Sequence, residues 1–303
     1  MPPAFVNVNG VVTDAAHAVI PVFDHGFLYG EGVYETIRTY QGVPFLFDRH
    51  MQRLRASAAM LQLDVPLADA EFLRRSLETM AAGGLGRGDA GEAAEAYIRI
   101  LLTRGVGELT YDPAATPTPT VVVITKPLPV TPESQYTEGV GVVLVDLIRN
   151  HPRSVNPLIK SNNLLNNALA MQQAIRRGAA EGVFRNYRGE LSECAQSNLF
   201  IVKNGTVRTP GLDAGLLAGI TRAFVFEIGA TLDIRVEEAC LKDDDLFGAD
   251  EAFFTSTTKE LLPIVRADDR PIGQGRPGPV TLELLAEYRR RALELTQQAA
   301  ARL

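Results

Sequence analysis

Five of the 30 basic residues in this chain are lysines: Lys126, Lys160, Lys203, Lys242 and Lys259. A lysine that carries a carbonyl compound as a Schiff base must present a neutral amine, so the setting of each lysine matters. Lys203 adjoins the Asn204-Gly205 turn, Lys242 stands in a run of aspartates and Lys126 precedes a proline in a linker-like stretch. Lys160 differs. It follows NPLI, and Ser161 and Asn162 after it are suited to cap a helix, which would set a desolvated amine near helix amides and lower its pKa. Local sequence alone fits an exposed lysine ahead of a helix equally well.

Four further groups have chemistry to offer. In LLAGITRAFVFEI, Gly219 precedes a helix whose first turn leaves the Ile220 and Thr221 amides for an anion such as phosphate; the plainer alternative is a helix start capped by Thr221. In FFTSTTKE, the hydroxyls of Ser256, Thr257 and Thr258 follow an apolar strand and could bind an anion or simply satisfy a turn. Arg53 comes from the first helix, with Arg49 and Arg55 close by on what could be a solvated face. Glu193 precedes SNLFIV in a strand expected to be buried, where a carboxylate must meet a cation or a protonated ring. The four histidines are too scattered for a metal site, and neither G-x-S-x-G nor H-E-x-x-H occurs. GGLGRGDAG at 83–91 lacks the strand-to-helix context of a phosphate loop and reads as a mobile surface connection.

The elements that must position these groups follow from pattern. Asn9-Gly10 predicts a hairpin turn in FVNVNGVVT, and VYETIRTYQGVPFLF predicts a second strand pair. Asp48 is placed to cap a helix carrying Met51, Leu54, Ala58 and Leu61 on one face, and a second helix is expected over 68–81. Strands follow at AYIRILLTRG and TVVVITK, separated by a long loop. Three prolines and a polar run mark 126–139 as a linker between a domain at 1–125 and another at 140–303. The second domain is expected to hold the strand GVVLVDLI and a helix from about Asn162 with Leu164, Ala168, Met171 and Ile175 in a stripe. A hairpin at Asn204-Gly205, the strand EAFFTST and a long C-terminal amphipathic helix complete it.

Composition narrows the function. With 303 residues, 46% of them hydrophobic, the chain can bury a large core. Two cysteines, Cys194 and Cys240, form no disulfide framework and suit a reducing compartment, so a cytoplasmic location is expected. No apolar run reaches membrane length and the first residues lack a signal-peptide pattern. A net charge of −6 with scattered arginines argues against a nucleic-acid surface and for small-molecule partners.

In order and spacing, several segments together resemble the class IV, fold type IV aminotransferases that use pyridoxal 5'-phosphate (PLP), the family of branched-chain and D-amino acid aminotransferases. They are DHGFLYGEGVYETIR, DRHMQRLRASA, YIRILLTRGVGEL, RNHPRSVNPLIKSNNLLNNALA, SECAQSNLFIVKNG, LLAGITR and FFTSTTKELLPI. The resemblance implies an α/β (α+β) two-domain fold with a small N-terminal and a larger C-terminal domain, whose cleft is closed by a neighbouring subunit of a homodimer or larger assembly. It makes Lys160 the Schiff-base lysine and proton carrier, and Glu193 the partner of the cofactor's ring nitrogen. Leu217 would pack on the ring, while Arg53, the Ile220 and Thr221 amides behind Gly219, and the hydroxyls of Thr221, Ser256 and Thr257 would hold the phosphate. Tyr29, Tyr34, Arg38, Tyr97 and Arg99, with Thr257 and Thr258, would line the substrate pocket. The implied reaction is a ping-pong transfer between an L-branched-chain amino acid and 2-oxoglutarate. Leu165 and Thr257-Thr258 look closer to the D-amino acid group, which keeps D-amino acids and (R)-amines in view as substrates, with an aminodeoxychorismate-type lyase as a further alternative.

Overall fold

A computed structural model of the chain describes residues 4–87 and 93–301, which divide into two units. The first takes the chain up to Pro129, residues 159–163 and the residues from Ala292 on. It opens with β1 (Phe5–Val8) and β2 (Val11–Asp14), joined where Asn9 and Gly10 both take positive φ, as the Asn-Gly pair predicts. There follow α1 (His25–Leu28), β3 (Gly32–Tyr40), β4 (Val43–Pro44), α2 (Phe47–Met60) and α3 (Asp69–Ala82). β5 (Gly86–Arg87) pairs with β6 (Ala93–Ala94), and the remainder of the Gly-rich run expected as a mobile connection lies outside the described residues. β7 (Ala96–Thr103) and β8 (Thr120–Pro127) complete an antiparallel sheet in the order β2-β1-β8-β7-β3-β4.

Alternation sorts this sheet. Val33, Ile37, Ile98 and Ile100 are fully buried against Met51, Leu54 and Ala58 of α2, each large side chain contributing about 1.5–3 kcal/mol. Tyr34, Thr36, Arg38, Tyr97 and Arg99 alternate with them and are only half-buried. Asp48 does not cap α2 as expected: the N-cap is Leu46 at φ 50°, and Asp48 lies in the first turn, where its charge complements the helix dipole. β8 runs to Pro127, so Lys126 is a strand residue, not a linker residue; it continues the alternation of TVVVITK.

The second unit takes residues 130–158 and 164–291. Its elements are α4 (Glu133–Thr137), β9 (Val140–Ile148), α5 (Leu165–Arg176), β10 (Glu181–Arg185), β11 (Leu191–Cys194), β12 (Asn198–Lys203), β13 (Thr206–Pro210), α6 (Ile220–Thr231), β14 (Val236–Ala239), α7 (Asp243–Phe247), β15 (Glu251–Ser256), β16 (Glu260–Ala267) and β17 (Arg270–Pro271). α8 (Pro279–Ala300) begins in this unit and its last residues count with the first. The sheet runs β11-β10-β9-β16-β15-β12-β13-β14, parallel at β10/β9, β9/β16 and β13/β14, with β17 on β16. The β12–β13 hairpin turns at Asn204-Gly205, again at positive φ.

The expected helix near Asn162 starts three residues later, at Leu165. Asn162 gives its N–H to the Gly32 carbonyl (2.9 Å) and Asn163 gives its own to the Ser161 hydroxyl (3.1 Å), so neither enters a helical turn. The buried face of α5 is Ala170 and Ala174, with Met171 packed beside them; Ala168 and Ile175, expected inward, face solvent. Close packing of α5 on β9 and β10 turns the small Ala170 and Ala174 inward, and of the expected stripe only Met171 packs against them.

Candidate active site

In the first unit the centre is residues 159–163, laid along the start of β3. The Tyr34 amide donates to the Lys160 carbonyl (2.9 Å), and Val33 bridges Ser161. The Lys160 amide donates to the hydroxyl of Ser57, a buried α2 residue (3.1 Å). Gly32 permits this approach, since a Cβ there would stand 2.5 Å from the side-chain Nδ2 of Asn162 and 2.7 Å from the Leu102 carbonyl oxygen. Lys160 is thereby fixed through its backbone, not through a helix start.

Its amine lies 4.5 Å from the centroid of the Tyr34 ring, and the Arg99 guanidinium carbon lies 4.0 Å from the same ring. Arg38 is over Tyr40 at 4.0 Å and directly opposite Tyr97 in the β3–β7 register. The Tyr97 ring also receives the Lys126 amine at 4.9 Å. Of the proposed pocket residues, the structure gathers Tyr34, Arg38, Tyr97 and Arg99 on one sheet face with Lys160. Tyr29 instead packs edge-on to His25 (4.9 Å) and against Tyr111 (5.0 Å).

Arg53 reaches from α2 to the inward face of β3. Its Nε and Nη2 donate to the two oxygens of Glu35, each at 2.7 Å, and the His50 ring donates to the second oxygen, also at 2.7 Å. Glu35 has no solvent exposure. Burial alone would raise its pKa, but Arg53 and His50 bring it down to about 2. Burial in turn holds His50 below the ordinary imidazole value, against the pull of Glu35. The result is an anion locked to a guanidinium, with a neutral imidazole steadying it.

In the second unit Glu193 sits on β11, 5% exposed. One oxygen accepts from Arg149 Nε at 2.7 Å; the other accepts from the Leu217 amide at 3.0 Å and the Asn198 side chain at 3.4 Å. Arg149 is oriented further by Asn166 (3.1 Å). Asn198 also donates to the Leu217 carbonyl (3.0 Å), tying the carboxylate to the approach of α6. Only glycine fits at 219, because a Cβ there would stand 1.9 Å from the Asn198 side-chain oxygen. Gly219 is the N-cap of α6 and brings no capping side chain; Thr221, offered as a cap by the sequence, lies inside the first turn and is buried. The first-turn amides of α6, Ile220 and Thr221 among them, have no acceptor within the helix. Ser256 accepts from the Lys259 amide (3.2 Å) across the β15–β16 turn that holds Thr257 and Thr258, so its hydroxyl serves that turn.

A second carboxylate of this unit, Glu181 on β10, is 1% exposed and accepts from the Gln196 amide at 3.3 Å. Burial pushes it up to about 7, with the charge of Lys259 pulling it back only in part.

Arg149 and Lys126 escaped the sequence reading. A buried Glu193 demands a cation, but nothing local names the arginine 44 positions away. The alternation of TVVVITK would have put Lys126 on the face of Val122 and Ile124, had the following proline not suggested a linker.

These groups fit PLP by their chemistry: an amine for its carbonyl, a buried carboxylate with three donors and acceptor capacity to spare for its ring nitrogen, and unspent helix amides with hydroxyls for its phosphate. Among the described residues no three His, Cys, Asp or Glu side chains gather as a metal site, and no helix is long and apolar enough to cross a membrane.

The family model for amino-transferase class IV matches residues 32–267. A Methanocaldococcus jannaschii protein with the provisional name branched-chain-amino-acid aminotransferase is 37% identical, over 94% of this chain and 95% of its own length. A D-alanine aminotransferase of Bacillus licheniformis is 32% identical (90% and 92%), and an aminodeoxychorismate lyase of Bacillus subtilis 30% (98% and 98%). Among solved structures, the branched-chain aminotransferase of the archaeon Thermoproteus uzoniensis with norvaline superposes with a TM-score of 0.87 at 31% identity, covering 96% of this chain and 95% of that one. Class IV aminotransferases are PLP enzymes with mixed α+β structure. The family match and the relatives agree over nearly the whole sequence, and the chain belongs to the class IV aminotransferases.

Proposed function

We propose that this aminotransferase moves an amino group between an L-branched-chain amino acid and 2-oxoglutarate by a ping-pong mechanism, with PLP carried on Lys160. The observation that carries the reading is the sheet face on which the Lys160 amine and the Arg99 guanidinium both lie against the Tyr34 ring: an apolar wall with cations beside it suits side chains that are alternately aliphatic and acidic. The M. jannaschii relative supports the branched-chain assignment. The stretch Val106-Gly107-Glu108-Leu109-Thr110 after Thr103-Arg104-Gly105 contains no cation to trap a carboxylate there, which counts against a D-specific enzyme.

When bound, PLP supplies an aldehyde for the donor's amine and a ring that takes up negative charge from the substrate carbon. The Lys160 amine would move the proton at the substrate Cα, taking it and returning one later in the cycle. Glu193 would hold the proton on the ring nitrogen, and Arg149, the Leu217 amide and Asn198 fix the direction of its carboxylate. The Ile220 and Thr221 amides, the hydroxyls of Thr221 and Thr257, and Arg53 would hold the phosphate, and Leu217 would pack on the ring. Tyr97, Thr257 and Thr258 would orient the substrate α-carboxylate, Arg38 and Arg99 would receive a second carboxylate, and the Tyr34 ring would supply the apolar wall.

A homodimer is part of the proposal. Val19, Val22, Phe23, Phe27, Leu109 and Tyr111 are 50–82% exposed, and their two segments adjoin through an Asp24–Val106 bridge, a patch suited to a second copy of the chain. A cytoplasmic location is consistent with two free cysteines.

The test is a panel of half-reactions followed by the cofactor spectrum, with L-leucine, L-valine, L-glutamate, D-alanine and an (R)-arylamine. L-leucine and L-glutamate are expected to lead. A clear preference for D-alanine would move the enzyme to the second reading, favoured by Leu165 and the D-alanine relative. Elimination without net amino transfer would point to the lyase alternative that the B. subtilis relative represents.

A further inference from the structure

The half-buried face of the first unit's sheet carries more positive charge than the proposed roles use. Lys126 on β8 stands directly opposite Tyr97 on β7, and Tyr97 stands directly opposite Arg38 on β3, so one row across the sheet reads Lys126, Tyr97, Arg38. The next row contains Arg99, opposite Ile124 and Thr36. Lys126 rests its amine on Tyr97, as Lys160 and Arg99 rest on Tyr34.

Among the described residues, none of Lys126, Arg99 and Lys160 forms an ion pair, whereas Arg53, Arg55, Arg74, Arg75 and Arg104 of the same unit each have a carboxylate. The chain holds 36 acidic residues against 30 basic ones, so counter-charges are not scarce. With Lys160 taken up by the cofactor, Lys126 and Arg99 are two half-buried cations left without an acid on one face, and a bound carboxylate would relieve their repulsion.

We propose that Lys126 is a specificity residue that receives the distal carboxylate of acidic substrates, and that it favours dicarboxylic 2-oxo acids and amino acids of six carbons over those of five. Lys160 lies alongside β3, Arg99 is on β7 and Lys126 is one strand further out, so its carboxylate site is displaced from the reacting amine by about another strand spacing, roughly 4.8 Å. An acid chain longer by a methylene, with the flexible lysine stem, spans that step better than glutamate's does. Arg99 and Arg38 serve the shorter acid, and Lys126 extends the range.

This inference rests on Lys160 as the reacting amine, so its test uses unreactive ligands and needs no turnover. The holoenzyme is titrated calorimetrically with adipate, glutarate and 4-methylpentanoate, in wild type, Lys126→Met and Lys126→Arg. Lys126→Met is expected to weaken adipate about tenfold, the size of one charge-assisted hydrogen bond, to weaken glutarate less and to leave 4-methylpentanoate within twofold. Lys126→Arg, which keeps the charge, is expected to hold adipate within about threefold of wild type. Equal changes for all three ligands, or no change for adipate, would overturn the role of Lys126. Should Lys126→Met fail to fold, Lys126→Gln gives the same comparison. A wild type that binds adipate no better than 4-methylpentanoate would also overturn it, and a holoenzyme that binds these acids yet turns over no amino acid would remove only the proposed reaction.

Discussion

Two glutamates, one in each unit, are equally hidden from water and behave oppositely. Glu35 is held at about 2, whereas Glu181 is pushed up to about 7. Burial raises both. What separates them is the supply of charged donors: Glu35 takes a two-pronged guanidinium and an imidazole, while Glu181 has the field of Lys259, the Gln196 amide at 3.3 Å and the Ser197 hydroxyl, which together offset its desolvation only in part. A buried carboxylate is a fixed anion only where charged or multiple donors are aimed at both oxygens. In the number and aim of its donors Glu193 resembles Glu35, with Arg149 on one oxygen and two N–H groups on the other. That is the property a partner for a protonated ring nitrogen needs.

The comparison can be broken most sharply at Glu35. Glu35→Gln leaves Arg53 buried without its counter-ion and is expected to destabilise the protein by about 3–5 kcal/mol, read from denaturant midpoints. The pH dependence has a definite sign. Because folding lowers this pKa from 4.5 to about 2, Glu35 contributes about 3 kcal/mol that is present above pH 4.5 and lost as pH falls through 2, and the variant should lack that acid-limb loss. Equal stability of variant and wild type would show that the ion pair merely balances its desolvation.

Glu193→Gln is the next largest effect. The amide keeps the shape but cannot hold a ring proton, so single-turnover rates are expected to fall about 100-fold while cofactor affinity changes little. Unchanged rates would give Glu193 a structural role only. Arg149→Met should act in the same direction but less, since the Leu217 amide and Asn198 remain.

The smallest effect is at Glu181. Its folded pKa lies above 4.5, so the folded state retains a proton that the unfolded chain releases; that stability is complete below pH 4.5 and lost as pH rises through about 7. Glu181→Gln, neutral at every pH, is expected to flatten the decline of Tm between pH 5 and 8. An undiminished decline would mean that Glu181 is already ionised in the fold.

The sequence made some of this legible and hid the rest for physical reasons. Lys160 and Glu193 stood out because a scarce residue type and a carboxylate in an apolar strand are visible locally. The Asn-Gly turns and the α2 stripe were equally local. Arg149, Glu35 and Lys126 were not, because each gains its meaning from a partner brought close by sheet register or helix packing. The non-contiguous first unit is the extreme case: residues 159–163 leave their sequence neighbours to pair along β3, which also delays α5 to Leu165. Local capping rules cannot see that competition for the Asn162 N–H.

The central claim is that Lys160, not another lysine, carries the cofactor. Lys126 is the informative competitor, because it too sits over a tyrosine on the same sheet face. Borohydride reduction of the yellow holoenzyme, followed by peptide mass mapping, fixes the cofactor to whichever lysine holds it. The label is expected on Lys160 alone, and Lys160→Ala should lose both the label and at least about 1,000-fold in transamination. Label on Lys126 or any other lysine, with turnover surviving in Lys160→Ala, would contradict the account.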